Sequence, residues 1–388
     1  MTYAENEKTR AAAWKRSTTT LPDAAHQPAK YVDKDGRAAG PLRAYCLPAA
    51  CAKYNLLEPH RDAALALFAE LGIPWHAGVE GGPSNHLASS QVQCVNALMP
   101  MVREPARIVR AFGDLLGIDE VLQIEPGRFL TFEYIGPTDY FDESPTAERI
   151  RGAHCTSVDA AFLHRARDGV VELALLEWKY TESYRLRTPD AARDAVRFGR
   201  YGVAVADPDG PVRADLLSFE HLLDEPFYQL MRQQLLAHAL ETAGAAGASR
   251  VRVLHVLPTG NEAYRQSLAR PEHRLLGNSV GEVWQKLLRH QDRFLSVDSA
   301  LFHDPEITSR EYRLRHSDGV VHNAADLFEA HEVDDAEGLS GGLDFHGDIE
   351  LYDDMIDLVL EGEGTGLEYP FHVDELRALA DELSSGDG

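Results

Sequence analysis

The chain has 388 residues, a formal net charge of −24 at pH 7 and 44% hydrophobic residues. That is enough apolar content for a sizeable core and enough length for two or three domains. The acidic balance argues against a nucleic-acid binder, since such binding is driven by Lys and Arg.

No stretch approaches the roughly 20 apolar residues of a membrane span, and residues 1–20 hold no apolar signal-peptide core. A cytoplasmic protein is therefore expected. Residues 1–55 are weakly patterned and broken by Pro22, Pro28, Pro41 and Pro48. This predicts loops, with an arm over the core. Cys46, Cys51, Cys94 and Cys155 lack zinc-ligand spacing and are expected as free thiols. Arg61 to Leu71 is an amphipathic helix closed by Gly72 and Pro74. The glycine-rich stretch that follows matches neither GxGxxG nor GxxxxGK(S/T), so it reads as a loop. His76 and His86 lie in it and read as solvent-exposed histidines. Ser89 or Ser90 caps a helix running to Pro100, and Glu104 to Leu116 forms another, bounded by Gly113 and Gly117. Val121 to Ile135 reads as a hairpin or a strand pair broken at Pro126-Gly127, and would supply the first strand of a sheet.

The most informative stretch is Thr156 to Tyr184. Its first strand covers about Ser157 to His164 and its second about Val170 to Tyr180, with Asp168-Gly169 at the turn. The run VVELALLEW is too apolar for a solvated strand and suits one buried on both faces. A loop centred on Asp168 sets Leu163 opposite Leu173, Ala161 opposite Leu175 and Asp159 opposite Glu177. Such neighbours have Cβ atoms about 4.5–5.5 Å apart. Two carboxylates that close repel, and a divalent cation between them removes the conflict. Lys179 follows Glu177 by one alternation and shares its face. Lysine is scarce here: after Lys53 only Lys179 and Lys286 occur. Hard oxygen ligands hold Mg²⁺ or Mn²⁺, which polarises a phosphodiester and acidifies water. The ammonium can orient that water.

The pattern Asp159, then Glu177-Trp178-Lys179, resembles the core motif of the PD-(D/E)XK nuclease superfamily, with Val158 standing where the motif has Pro. The resemblance implies an α/β fold: a mixed central β-sheet flanked by helices, restriction-endonuclease-like, at residues 85–260. Residues 1–84 would be an N-terminal extension and 261–388 an acidic helical C-terminal region. It further implies that Asp159, Glu177 and the Trp178 carbonyl ligate Mg²⁺ or Mn²⁺ and that Lys179 positions water. Gln91 and Asn96 lie on the helix ahead of the hairpin, where the superfamily often brings a polar group to the site. The alternative for both is ordinary packing. Glu133 either reaches the metal from the adjacent strand or is an exposed strand acid. Glu182 is either a supporting group for Lys179 or a surface acid.

The helix within Asp215 to Glu241 offers Arg232 and Gln233 toward the site or toward solvent, and Arg250 to Leu257 is the next strand. Arg185 to Arg213 is locally basic, whereas much of the acid lies in the last 60 residues. Nucleic acid can thus meet one surface of an acidic chain. Val280 to Phe294, Leu351 to Leu360 and Val373 to Leu383 are expected as helices. The aspartates at 344, 348, 353 and 354 lack the EF-hand pattern. The function expected is metal-dependent hydrolysis of DNA, in defence or repair, by a homodimer or with a partner subunit. An inactive scaffold of the same fold and an RNA nuclease are the alternatives.

Overall fold

The computed structural model describes residues 2–144 and 149–317, and beyond them only the backbone of residues 349–352, 355–360 and 367–372. Met1–His316 form one compact unit and Ser317–Gly388 a second.

The first unit begins with a helix, not with the loops expected over residues 1–55. Helix α1 (Tyr3–Ser17) starts in a capping box, where the Thr2 hydroxyl accepts from the Glu5 amide and the Glu5 carboxylate accepts from the Thr2 amide. This satisfies donors that a helix start otherwise leaves open. The helix is too polar to show an apolar stripe, yet Ala11 and Trp14 enter the main core. Trp14 donates its indole N–H to Glu311 at 2.6 Å, and the buried Lys15 ammonium donates to the Cys46 carbonyl at 2.7 Å. A short hairpin of β1 (Ala29–Val32) and β2 (Ala38–Arg43) follows.

Helices α2 (Arg61–Leu71), α3 (Ser90–Leu98) and α4 (Pro105–Leu116) form where the apolar spacing predicts them. Gly72 and Gly117 end α2 and α4 in the left-handed conformation that a Cβ disfavours. Next come β3 (Ile118–Leu122) and β4 (Leu130–Tyr134), then the central pair β5 (Val158–Ala166) and β6 (Val171–Trp178). After α5 (Ala191–Ala206) and α6 (Phe227–Thr242), strand β7 (Arg250–Leu257) lies parallel to β6. The short helices α7 (Glu262–Arg265) and α8 (Pro271–Leu276) lead to α9 (Val280–Leu287), and α10 (Arg310–His316) ends the unit. The predicted helix over Val280 to Phe294 stops at Leu287, and Phe294–Asp298 forms β8, parallel to β7.

The sheet order is β3-β5-β6-β7-β8, with β4 also on β5. Leu163 faces Leu173 and Ala161 faces Leu175, the register the turn dictates. The expected strand pair over Val121 to Ile135 takes another form. β3 and β4 do not pair with each other; both lie antiparallel to β5, β3 against Leu163–Ala166 and β4 against Val158–Phe162. β5 spans nine residues and so has room for both. Strand alternation then builds two cores. Phe162, Ala174, Leu176, Trp178, Leu254 and Val256 face α1 through α4 and α10. Ala161, Leu163, Leu173, Leu175, Val251 and Val253 face α5, α6 and α9. β6 and β7 end together at one edge of the sheet. In open α/β sheets the carboxyl ends of parallel strands are where ligands bind.

The second unit shows an antiparallel sheet of β9 (Ile349–Tyr352), β10 (Met355–Leu360) and β11 (Leu367–His372), with β10 in the middle. The helix expected over Leu351 to Leu360 is therefore strand, so the C-terminal region is not helical there. Leu358 and Ile356 alternate with Asp357 and Val359 in a run short enough to read either way. The helix expected at Val373 to Leu383 and the four aspartates named above lie outside the described residues. Among the described residues no helix is long and apolar enough to cross a membrane.

Trp14 tests whether α1 belongs to the fold. Trp14→Ala should lower unfolding free energy by about 3–5 kcal/mol, the usual cost of removing a buried aromatic. Urea denaturation measures this, and a loss below about 1 kcal/mol would mean that α1 only rests on the core.

Candidate active site

Register brings the acids of three strands into one row. Asp159 starts β5 and Glu177 lies near the end of β6. On the other side of β5, Leu130 pairs with Phe162 and Tyr134 with Val158, so Glu133 falls opposite Asp159. His255 of β7 pairs with Glu177. The row thus runs Glu133, Asp159, Glu177, His255, along the edge where β6 and β7 end.

Each carboxylate has its own environment. Asp159 keeps part of its surface open, and its Oδ2 accepts the Trp178 amide at 2.6 Å. Burial first, then Glu177 and Glu133, push its carboxyl well above the usual range. Glu177 is buried; one oxygen accepts from the Lys179 ammonium and the other from the Gln233 amide. Glu133 is buried and accepts from Gln91 at 3.2 Å and from the Ser157 hydroxyl at 2.8 Å. Burial raises its carboxyl too, with Glu177 adding to the shift. Glu133 sits at φ +46°, the left-handed region, within an extended strand. Such strain persists only where surroundings enforce it and gathers at functional sites. Gly152 belongs to that enforcement: a Cβ there would lie 3.1 Å from the Glu133 carboxyl carbon.

Lys179 follows β6, tied by its amide to the Val256 carbonyl at 2.8 Å. Its ammonium bonds Glu177 and, at 2.8 Å, Gln229. Burial alone would discharge it, but Glu177, with Tyr184, Tyr264 and Glu182, holds its pKa well above the normal lysine value. His255 goes the other way: burial and then Lys179 lower it to about 3, so the ring is neutral and bonds Tyr264 at 2.9 Å.

The remaining predicted residues divide. Gln91 and Gln233 reach the acids directly, through Glu133 and Glu177. Glu182 turns back on the chain and accepts the Tyr180 amide at 2.6 Å, acting on Lys179 only through its charge. Arg232 bonds Thr156 at 3.0 Å and pairs with Glu143 at 3.3 Å, one step removed from the row. Asn96 is a packing residue, bonding Leu57 and Asn55. Of the loop histidines, His76 is exposed, as expected, whereas His86 is partly buried. Sequence reasoning missed Ser157 and Gln229. Gln229 lies four residues before Gln233 on α6, a helical spacing that puts both on one face.

Among the described residues no three His, Cys, Asp or Glu side chains converge into a metal cage. The donor chemistry nevertheless suits a hard cation, for three carboxylates here face one ammonium. Glu177 would have to turn from Lys179 or Gln233 to share a ligand with Asp159.

Asp159 carries a stability cost with a definite sign. Its folded carboxyl titrates above its unfolded value, so stability falls as pH rises through that window. Ionising the folded group works against the fold. Asp159→Asn should therefore raise stability at pH 7 by about 0.5–2 kcal/mol, and the gain should vanish below the unfolded carboxyl pKa. Thermal denaturation across pH reads this, and a destabilised variant at pH 7 would contradict it.

The comparisons bear on the unit that holds this row. No curated protein and no solved structure matches the chain. A family model described as Restriction Endonuclease associating with ARP matches residues 8–311. That description suggests a nuclease role, with nucleic acid as the partner. The match takes in all six strands of the central sheet and every residue of the acidic row, and the chain belongs to this restriction endonuclease family.

Proposed function

We propose that the chain is a metal-dependent nuclease of the PD-(D/E)XK type that hydrolyses phosphodiester bonds in DNA. The observation that carries this reading is the juxtaposition of Asp159 with Glu177-Trp178-Lys179 at the end of β6, fastened by the Trp178 amide on Asp159. Mg²⁺ or Mn²⁺ would be held by Asp159, Glu177 and the Trp178 carbonyl. In a strand a residue's amide and carbonyl point to the same side, so this carbonyl leaves toward Asp159. Bound there, such a cation supplies Lewis-acid polarisation of the phosphate and a more acidic water.

The chain's own groups do the rest. A phosphate could not approach Glu133, Asp159 and Glu177 unaided, because like charges would repel it. Lys179, held by Glu177 and Gln229, keeps its proton. It therefore orients water by donating to it and balances charge that builds on the phosphate oxygens. Gln233 fixes the second Glu177 oxygen. Gln91 and Ser157 fix Glu133, which borders the row from β4. Arg232, with Thr156 and Glu143, steadies the chain just ahead of β5. Cutting both strands of a duplex needs two such sites, by a homodimer or a partner subunit.

A scaffold reading also has an observation in its favour: both Glu177 oxygens are occupied by protein donors. One assay separates the readings. Supercoiled plasmid, single-stranded DNA and RNA of matching sequence are incubated with Mg²⁺ or Mn²⁺, using wild type, Lys179→Ala and Glu177→Gln. The expected result is DNA cleavage, abolished by EDTA and reduced about a hundredfold or more by either substitution. Cleavage of RNA alone would move the substrate. Absence of cleavage together with absence of Mn²⁺ binding by calorimetry would leave the scaffold.

A further inference from the structure

A concavity opens beside the row, on the side of the N-terminal segment. It encloses about 350 Å³, within the about 300–1,000 Å³ usual for small-ligand sites. Lys8 of α1, Tyr31 of β1, Arg43 and Tyr45, His86 ahead of α3, and Glu182 line it. It shares a wall with the acids. The backbone amide of His76, also on its lining, donates to Gln91 at 2.8 Å, and Gln91 donates to Glu133. Glu182 lies three residues beyond Lys179 in the segment that leaves β6.

The lining combines two chemistries. His86 meets Tyr45 edge-on at 5.0 Å between ring centres and Tyr31 at 5.7 Å. Lys8 and Arg43 each stand 5.6 Å from the Tyr45 ring centre. Burial, then Lys8 and Arg43, hold the His86 imidazole near a pKa of about 4, so it serves as a neutral ring. A simple anion would use the cations and leave the rings idle. An apolar ligand would use the rings and strand the cations. A nucleotide uses both, stacking its base on aromatic and guanidinium surfaces and offering its phosphate to Lys and Arg. In a chain of net charge −24, the two cations of this lining outnumber its one acid, Glu182.

We propose that this cleft seats one unpaired nucleotide of the substrate strand, its base against Tyr31, Tyr45 and His86 and its phosphate against Lys8 and Arg43, next to the bond that is cut. This rests on the nuclease reading and adds to it a preference for substrate with an unstacked base near the scissile position. A base inside a duplex is not accessible to such a cleft without being turned out of the stack.

The test is binding, kept apart from cleavage. Fluorescence anisotropy in EDTA follows a labelled oligothymidylate, the same strand with abasic sites, and a duplex, with free thymidine monophosphate as competitor. Wild type should bind the intact single strand most tightly. Tyr45→Ala should weaken that strand about tenfold and leave the abasic strand unchanged. Arg43→Gln, a change at a partly exposed side chain, should weaken both strands, and Tyr45→Phe should restore discrimination. Equal binding of intact and abasic strands by wild type, or no effect of Tyr45→Ala, overturns the proposal. Competition by the free nucleotide as strong as by the oligonucleotide also overturns it, since the cleft would then hold a free ligand. Cleavage plays no part in these readouts. A chain that discriminates in binding but never cuts would sink the nuclease reading and not the cleft.

Discussion

The pairing of β5 with β6 is the constraint on which the rest depends. It fixes Asp159 against Glu177, and a slip of one residue would turn every side chain of the strand to the other face. Two apolar cores grip the opposite faces of this pair, so a slip would expose Phe162 or Leu175 as well as scatter the acids. The fold thus spends apolar burial on both faces to hold together charges that repel. The cost shows at Asp159 and Glu133, whose carboxyls are pushed above the usual range by burial and by their acidic neighbours. Around it the structure supplies single, directed donors: one backbone amide on Asp159, one ammonium and one amide on Glu177, a hydroxyl and an amide on Glu133.

The hairpin was legible because its information is local. Asp168-Gly169 names the turn, alternation names the faces, and register follows by counting. The helices α2 and α4 were legible for the same reason, with glycines marking where they stop. Glu133 could be named as a candidate but not placed. Its position depends on β4 lying in line with β3 along β5, and on a positive φ that no local pattern demands. Ser157 was hidden because it gains its role only from Glu133. Gln229 was hidden because α6 has polar groups on several sides, and only the packed structure shows which side meets β6. The start of α1 did carry a signal, Thr2 with Glu5 three residues later, but its polar sequence gave no apolar stripe to confirm it.

The N-terminal segment changes standing once its contacts are known. Trp14 and Ala11 complete the core that covers one face of the sheet, while Lys8 reaches the cleft beside the acidic row. One helix therefore links stability with the cleft proposed to seat a nucleotide. The same economy holds at α6, where Leu230, Leu236 and Leu240 pack inward and Gln229 and Gln233 hold Lys179 and Glu177.

The divided flank of β5 has a further consequence. β3 and β4 are five residues each and are interrupted between Leu122 and Leu130. Asp119 and Glu120 stand exposed on β3. A strand border that is short, broken and charged offers no continuous template of amides and carbonyls to another chain. Two copies of this protein could not merge their sheets along that side into one longer sheet. Whatever assembly the chain enters there has to be built from side chains, and on β4 that border carries Glu133 of the acidic row.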